Sequence, residues 1–144
     1  MEIPERWQFK QPNAGEFEEV KKWVEDFWLD DESMDSARFR VLVDSNKVIA
    51  FGRLRENIDA TELCTLGVVK EFRGKGLGRL MVECLLKEAK QDIYVVTVIP
   101  AFFSKLGFEF VENYPASMQK KVNLCTTDYH VGEIYRVMKW KKPK

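Results

Sequence analysis

The segment from residue 61 to residue 99 restricts the possible folds more than any other part of the sequence. Its first stretch, TELCTLGVV (61–69), is too apolar for a strand with one exposed face and predicts a strand buried on both faces. A helix is predicted from about Gly76 to Lys90, and IYVVTVI (93–99) predicts a second doubly buried strand. Strand, helix and strand joined by short connections predict a right-handed crossover between two parallel strands.

The remaining segments predict elements that would complete one sheet. Asn13 with Glu16 three residues later is typical of a helix start, and apolar residues then recur at helical spacing as far as Trp28. RFRVLV and VIAFGRL predict a β-hairpin, AFFSKL after Pro100 predicts a short helix, and FEFV and EIYRVMKW predict further strands. This order predicts an α/β fold with a mixed sheet of six or seven strands, in a single domain over residues 1–144.

The net charge of the chain is zero, but the charges are unevenly distributed. Residues 1–35 contain 11 acidic and 4 basic side chains, so the rest of the chain is basic. A basic main part favours an anionic ligand, whereas the acidic N-terminal part makes nucleic-acid binding unfavourable. The longest nearly uncharged run, 93–103, is far shorter than the roughly 20 residues of a membrane span. Three cysteines without framework spacing predict buried thiols in a reducing compartment, and we therefore expect a cytoplasmic protein.

Three glycines follow the first buried strand at alternate positions, Gly74, Gly76 and Gly78. The pattern is not the dinucleotide-binding fingerprint, because Arg79 stands where its third glycine would be, and it is not a Walker A loop, because no GK[ST] occurs. Alternate glycines let backbone N–H groups converge, and the following helix start adds its own unpaired donors. Four cations surround them, which suits a diphosphate or a nucleotide with an extra phosphate; they are Lys70, Arg73, Lys75 and Arg79. A tight turn with no ligand is the alternative.

The stretch TELCTLGVVKEFRGKGLGRLMVECLLKEA (61–89) resembles the central motif of the GNAT superfamily of acyl-CoA-dependent N-acetyltransferases. Leu66 and Val68 end the strand as in that motif, and RGKGLG opens the helix. FFSKLGFEFV (102–111) resembles the second family signature. The resemblance implies a GNAT-like sheet flanked by helices, in which central antiparallel strands adjoin a splayed parallel pair.

The resemblance also implies acetyl-CoA as co-substrate and no metal. In the family the pyrophosphate lies on the glycine-rich loop, and the pantetheine arm pairs with the central strand where it separates from the next parallel strand. The N–H near Val68 would then face the thioester oxygen and stabilise the developing oxyanion. The residues that the resemblance assigns to the cofactor are Leu66, Gly67, Val68, Arg73, Gly74, Lys75, Gly76, Leu77, Gly78, Arg79, Phe102 and Phe103.

Glu62 corresponds to the position at which several family members place a general base. Strand alternation predicts that residues 62, 64, 66 and 68 share one face, and a desolvated carboxylate there would have a raised pKa. The alternatives are that Glu62 caps a strand end or pairs with a cation. Many relatives have a tyrosine that protonates the departing thiolate where this chain has Phe103. Tyr94 and Tyr114 could supply that proton, although packing is the favoured role for both.

A narrower resemblance, to N-acetylglutamate-synthase-like members, rests on FFSKLGFEFVENYPASMQKKVNLC (102–125). It implies a small-molecule acceptor such as an amino acid, with a cation for its carboxylate, and Arg53 is the preferred candidate. Other cations are considered but interpreted as solvated surface: Arg55, Lys120 and Lys121. A peptide or protein amine is the rival acceptor, and an acyl-CoA-binding sensor without activity is the rival function.

Three further hypotheses are weaker. His130 with Cys125 makes a poor metal site because no other paired ligands accompany them. Cys64 beside Glu62 could carry an acyl group, but strand packing is favoured. The C-terminal strands make a homodimer plausible.

Overall fold

The structure is a computed structural model that describes residues 3–126 and 134–144. Its central feature is a mixed seven-stranded sheet with the strand order β1-β2-β3-β4-β5-β7-β6. The pairs β1–β2, β2–β3, β5–β7 and β6–β7 are antiparallel, whereas β4 and β5 are parallel, as the 61–99 segment predicts. The strands are β1 Trp7–Lys10, β2 Phe39–Asp44, β3 Lys47–Glu56, β4 Thr61–Val68, β5 Ile93–Thr97, β6 Glu109–Phe110 and β7 Arg136–Trp140.

Four α-helices accompany the sheet in the described part of the chain: α1 Ala14–Asp26, α2 Leu77–Lys87, α3 Pro100–Ser104 and α4 Ala116–Leu124. Helix α1 begins with the predicted capping box, because the Glu16 amide donates to Asn13 Oδ1 at 2.8 Å and the Asn13 amide donates to Glu16 Oε1 at 2.9 Å. Helix α3 begins at Pro100, and Gly107 with φ of 93° follows it. Among the described residues, no helix is long and apolar enough to cross a membrane.

Contacts within the chain form two compact units, residues 1–54 with 64–88 and residues 55–63 with 89–144. Strand β4 contributes to both, since its first three residues belong to the second unit. In the first unit, α1 buries Val20 and Val24 against β2 and β3, and the rings of Phe27 and Phe51 stack at 6.5 Å. Helix α2 covers β3 at Gly52, where an added Cβ would lie 3.1 Å from Leu85.

The second unit is built on β5, β6 and β7 with α3 and α4. Ile93 and Val95 of β5 and Met138 of β7 are buried. Strands β5 and β7 pair along five residues, from Ile93 with Trp140 to Thr97 with Arg136. Met118 of α4 is fully buried as well, so this helix contributes to the core of the unit.

Two elements were not predicted. Strand β1 has four residues and pairs with β2, so its conformation depends on the hairpin beside it. Helix α4 has a weakly amphipathic sequence after Pro115, and the carboxylate of Asp59, far away in sequence, accepts from the Ser117 amide at 3.0 Å in its first turn. The predicted apolar stripe of α1 is wrong at its end, because Trp28 lies beyond the helix with φ of 56° and is 69% exposed.

Candidate functional site

Strand β4 carries the predicted chemistry, and its conformation changes at Thr65. This residue has φ of 55°, in the left-handed region that a β-branched side chain rarely adopts. The Thr65 hydroxyl donates to the Asp30 carbonyl at 2.9 Å, and Cys64 Sγ lies within 4.8 Å of an Asp30 carboxylate oxygen, so two successive side chains reach the same loop. Leu66 instead approaches Gly52 on the α2 side of the sheet. The prediction that residues 62 to 68 alternate regularly is therefore wrong, because the left-handed residue interrupts the pleat.

Glu62 lies at the centre of a buried charged cluster. Its side chain is 1% exposed and accepts from Arg55 Nη2 at 2.9 Å and from Lys121 Nζ at 2.8 Å, while Asn57 Nδ2 lies at 3.4 Å. Arg55 comes from β3 and Lys121 from α4, and Lys121 is 9% exposed. The interpretation of these two cations as solvated surface is wrong, since the side chains of Arg55 and Lys121 are only 12% and 9% exposed and both bond to Glu62. Of the alternatives considered for Glu62, the pairing with a cation is present.

The glycine-rich corner has the backbone that the sequence predicts. Gly74 has φ of 79° and Gly76 has φ of 82°, and Gly76 is the N-cap of α2. A Cβ on Gly74 would meet no atom within 4 Å, so glycine is needed there for its backbone conformation and not for space. Leu77 is buried at the start of α2, followed by Gly78 inside its first turn. The first N–H groups of a helix lack intrahelical acceptors, and these point out of the N-terminus.

Three predicted phosphate-binding cations make contacts within the first unit. Arg73 Nε donates to the Val68 carbonyl at 3.0 Å, and its guanidinium lies 4.6 Å from the centre of the Phe27 ring. Arg79 donates to Glu83 at 2.8 Å along the exposed side of α2. Lys75 lies over the ring of Phe72 at 5.3 Å. Arg73 therefore holds the end of β4 beside the glycine-rich loop.

The end of β4 presents backbone groups at the edge opposite β3. Val69 donates its N–H to the Ile49 carbonyl at 3.0 Å, which faces β3, so its neighbour Val68 faces the other edge. The Arg73 bond to the Val68 carbonyl lies at that edge. Because the N–H and C=O of one strand residue point to the same side, we infer the same direction for the Val68 N–H. Gly67 lies over the Phe51 ring, where a Cβ would come within 2.3 Å of Cζ. The parallel pairing with β5 covers Thr61 with Ile93 and Glu62 with Tyr94.

Arg53 is fully buried, although it was predicted to bind substrate. Its Nε donates to Thr65 Oγ1 at 2.9 Å and its Nη1 to the Ser33 carbonyl at 3.0 Å. Nη2 donates to the carbonyls of Asp30 and Glu32 at 3.1 and 2.9 Å. The guanidinium thus joins the loop after α1 to β4.

Residues 3–108 match the model of the acetyltransferase (GNAT) family. The chain belongs to the GNAT family. An uncharacterised N-acetyltransferase of Chlorobaculum tepidum is 30% identical over 86 residues, which are 56% of this chain and 56% of that protein. The alignment therefore spans little more than half of the curated relative. The family prediction is confirmed, and the seven-stranded sheet with its parallel pair confirms the predicted fold.

Solved GNAT structures share this fold. N-acetylglutamate synthase of Neisseria gonorrhoeae, complexed with coenzyme A and N-acetyl-glutamate, has a TM-score of 0.76 at 12% identity over 96% of this chain and 35% of that one. A Mycobacterium tuberculosis protein in complex with CoA has a TM-score of 0.70 at 19% identity over 93% and 98%. The ribosomal-protein-S18-alanine N-acetyltransferase of Escherichia coli has a TM-score of 0.64 at 16% identity, over 96% of this chain and 95% of that one. These identities show a common fold alone.

The aromatic residues of the second GNAT signature lie in the second unit. Phe103 is 4% exposed and contacts the edges of the Phe102 and Phe108 rings, with centroids 5.0 and 5.3 Å away. Position 103 therefore holds a packed aromatic ring without a hydroxyl group. A contact of Phe102 or Phe103 with coenzyme A stays a prediction.

The other candidate residues are placed as follows. The Tyr94 ring lies 5.4 Å from Lys139 Nζ, and the Tyr114 hydroxyl is 3.3 Å from Gln119. Cys125 is buried, whereas His130 lies outside the described residues. Sequence reasoning did not single out Thr65 or Asn57, and no local signal distinguishes a threonine that will adopt a positive φ.

Proposed function

We propose that this GNAT protein transfers an acetyl group from acetyl-CoA to a primary amine of a small molecule, such as an amino acid. The observation that carries the proposal is the corner between β4 and α2. There, two left-handed glycines and a helix N-terminus follow a strand end with outward-facing backbone groups, within a family-model match over residues 3–108.

The glycine-rich corner fits the diphosphate of coenzyme A. The N–H groups from Gly74 to Arg79 converge at the positive end of the α2 dipole, which favours phosphate oxygens. Lys70, Lys75 and Arg79 add positive charge around them. In this proposal the backbone of Leu66, Gly67 and Val68 pairs with the amides of the pantetheine arm. The Val68 N–H donates to the thioester oxygen, where negative charge develops as the amine attacks.

Glu62 is the proposed base. The attacking amine loses a proton as its nitrogen bonds to the acetyl carbon, and an ionised carboxylate can accept that proton directly or through water. In the structure its carboxylate oxygens bond to Arg55 and Lys121. The sulfur of coenzyme A departs with the electrons of the broken bond. An alkyl thiol has a pKa of about 8.5, so departure as thiolate is feasible without a tyrosine at position 103.

A small-molecule acceptor is the finer part of the proposal. This part is supported by the similarity to N-acetylglutamate synthase. The TM-score with that enzyme is 0.76, compared with 0.64 for the ribosomal-protein acetyltransferase. Arg53 is not offered as the cation for an acceptor carboxylate, because its donors bind protein oxygens. The buried cysteines Cys64, Cys84 and Cys125 support a cytoplasmic location.

The test is the release of free thiol from acetyl-CoA by the purified protein with separate panels of amino acids, polyamines and short peptides. We expect turnover with a member of the first two panels and acetylation of its amine by mass spectrometry. Turnover with peptides alone would reject the small-molecule acceptor but keep the reaction.

A second candidate function is an acyl-CoA sensor without activity, which the packed Phe103 favours because it cannot donate a proton. Calorimetric titration with coenzyme A distinguishes the outcomes. Binding without turnover on any panel would favour the sensor, and no binding would reject both functions.

A further inference from the structure

We propose that Arg53 is a positioning residue that sets the direction of β4 by holding Thr65 in its left-handed conformation. The proposal rests on the proposed function, because the strand segment after Thr65 is the one assigned to acetyl-CoA. It gives Arg53 a role through Thr65 and not through contact with a substrate.

The Arg53 guanidinium binds two segments of the first unit, strand β4 and the loop after α1. On one side Nε donates to Thr65 Oγ1, and the Thr65 hydroxyl itself donates a hydrogen bond to the Asp30 carbonyl. On the other side Nη1 and Nη2 donate to the carbonyls of Ser33 and Glu32. The hydroxyl of Thr65 is thus both acceptor and donor between β4 and the loop, which a methyl group in its place could not be.

The site is unfavourable for an arginine that served packing alone. The side chain of Arg53 is 0% exposed, and its charge is compensated by the Asp30 carboxylate, 3.7 Å away, and by the face of the Phe39 ring, 5.0 Å away. Burying a charge is costly unless every donor is satisfied. A leucine or methionine would fill the volume without that cost. The presence of arginine at position 53 is therefore better explained by the several hydrogen-bond donors of its guanidinium group than by its size.

The conformations that Arg53 holds are strained ones. Arg53 binds the side chain of Thr65 and the carbonyl of Ser33, and both of these residues have φ of 55°. Such conformations persist only where surrounding contacts require them. Because Thr65 directly precedes Leu66, a return of Thr65 to an extended φ would rotate the peptide groups up to Val68. The proposed oxyanion donor would then point away from the thioester.

Thr65→Val is the first test because it keeps the branched shape and removes the hydroxyl. We expect kcat for thiol release to fall roughly ten- to a hundredfold, since a misplacement of about 1 Å has such effects, while KM for acetyl-CoA changes less than about threefold. Thr65→Ser, which keeps the hydroxyl and loses the methyl group, should retain a kcat close to wild type. Thr61→Val is the matched control, since Thr61 is equally buried at the start of β4 and also bonds through its hydroxyl, to Gln91.

The pattern across these variants decides the proposal. Equal kcat values for Thr65→Val and Thr61→Val would overturn it, and so would a Thr65→Ser variant as slow as Thr65→Val, which would indicate packing. Arg53→Lys keeps the charge and loses the fork. It should lower kcat as Thr65→Val does, and the double variant should be no slower than the slower single variant, because both changes remove the same Arg53–Thr65 hydrogen bond. If the double variant lowered kcat by the product of the two single effects, the substitutions would act independently, and the proposal that Arg53 acts through Thr65 would be refuted.

Hydrogen exchange separates this proposal from the proposed function. We expect coenzyme A to protect the amides of residues 66–68 in wild type, Thr61→Val and Thr65→Ser, and to protect them less in Thr65→Val. This readout needs no turnover, so an inactive wild type would reject the enzyme and leave the positioning role testable. Equal protection in all four proteins would overturn the positioning role. If Thr65→Val does not fold, Arg53→Lys takes its place, and unchanged protection and kcat in that variant overturn it.

Discussion

Replacing Glu62 by glutamine tests the buried cluster and the proposed base together. The substitution keeps the size and one acceptor oxygen of the side chain but removes the carboxylate that is bonded to both Arg55 and Lys121. These two cations, which are 12% and 9% exposed, then lie beside a neutral amide. We therefore expect a loss of both stability and activity, from different causes.

The size of the stability loss follows from the two ion pairs. With N–O distances of 2.9 and 2.8 Å and an effective dielectric constant near 20, each attraction is on the order of 6 kcal/mol. Desolvation offsets most of this, and removing one partner of a buried pair typically costs about 3–5 kcal/mol. The retained amide oxygen favours the lower value, so we expect a loss of about 3 kcal/mol, or roughly 10 °C in Tm for a chain of this size.

Urea titration measures the free energy of unfolding, and thiol release measures the rate. The matched variant is Glu62→Gln with Lys121→Gln, which returns the net charge of the cluster to its wild-type value. We expect this double variant to recover at least half of the lost stability but none of the activity, because the proposed base is still absent. Affinity for coenzyme A should stay within about threefold of wild type in both, since the glycine-rich corner proposed to bind the diphosphate is unchanged.

Two results would refute this reasoning. If Tm of Glu62→Gln lay within about 2 °C of wild type, the two ion pairs would not stabilise the fold as their distances indicate. If the double variant recovered turnover along with stability, the effect on rate would be structural and Glu62 would not be the base.

Three further predictions concern other parts of the fold. Gly67→Ala places a Cβ 2.3 Å from Phe51 Cζ and should destabilise the protein by about 1–3 kcal/mol in urea titration, with partial recovery when Phe51→Leu is added. Hydrogen bonds from the Ser117 hydroxyl and amide hold the pKa of Asp59 below its ordinary 3.8. The pKa of Asp59 is lower in the folded state, so this stabilisation is present above pH 3.8 and is lost as pH falls through the folded-state pKa. The urea concentration at the unfolding midpoint should therefore change less between about pH 5 and 2 in Asp59→Asn than in wild type. Gly76→Ala, at φ of 82°, should weaken coenzyme A binding about tenfold or more by calorimetry.

Gly15→Ala is the control for both glycine predictions. It lies in α1, and an added Cβ would meet only Asn13 Oδ1, at an ordinary 3.7 Å, so stability and coenzyme A affinity should stay close to wild type. A Gly76→Ala variant that binds coenzyme A as well as Gly15→Ala does would contradict the role of the left-handed N-cap. Parallel pH curves for wild type and Asp59→Asn would contradict the role of Asp59.

The extent of sequence prediction can be judged on particular elements. The capping box of α1, the hairpin of β2 and β3, and the β4–α2–β5 crossover were predicted because their signals lie within a few residues of each element. Helix α4 was missed because its apolar stripe is weak and Asp59, which binds its first turn, lies 58 residues before Ser117. Strand β1 was missed because four residues carry little periodicity.

The sequence by itself determined the backbone of the glycine-rich corner, since glycines at positions 74 and 76 make positive φ inexpensive wherever the chain folds. Only the tertiary structure decided the roles of the charged residues. Glu62 meets Lys121 across 59 positions, and Arg53 meets the Asp30 carbonyl across 23. Thr65 shows the difference most clearly. Its β-branched side chain favours extended backbone, and it adopts a left-handed conformation where contacts from Arg53 and Asp30 converge on its hydroxyl.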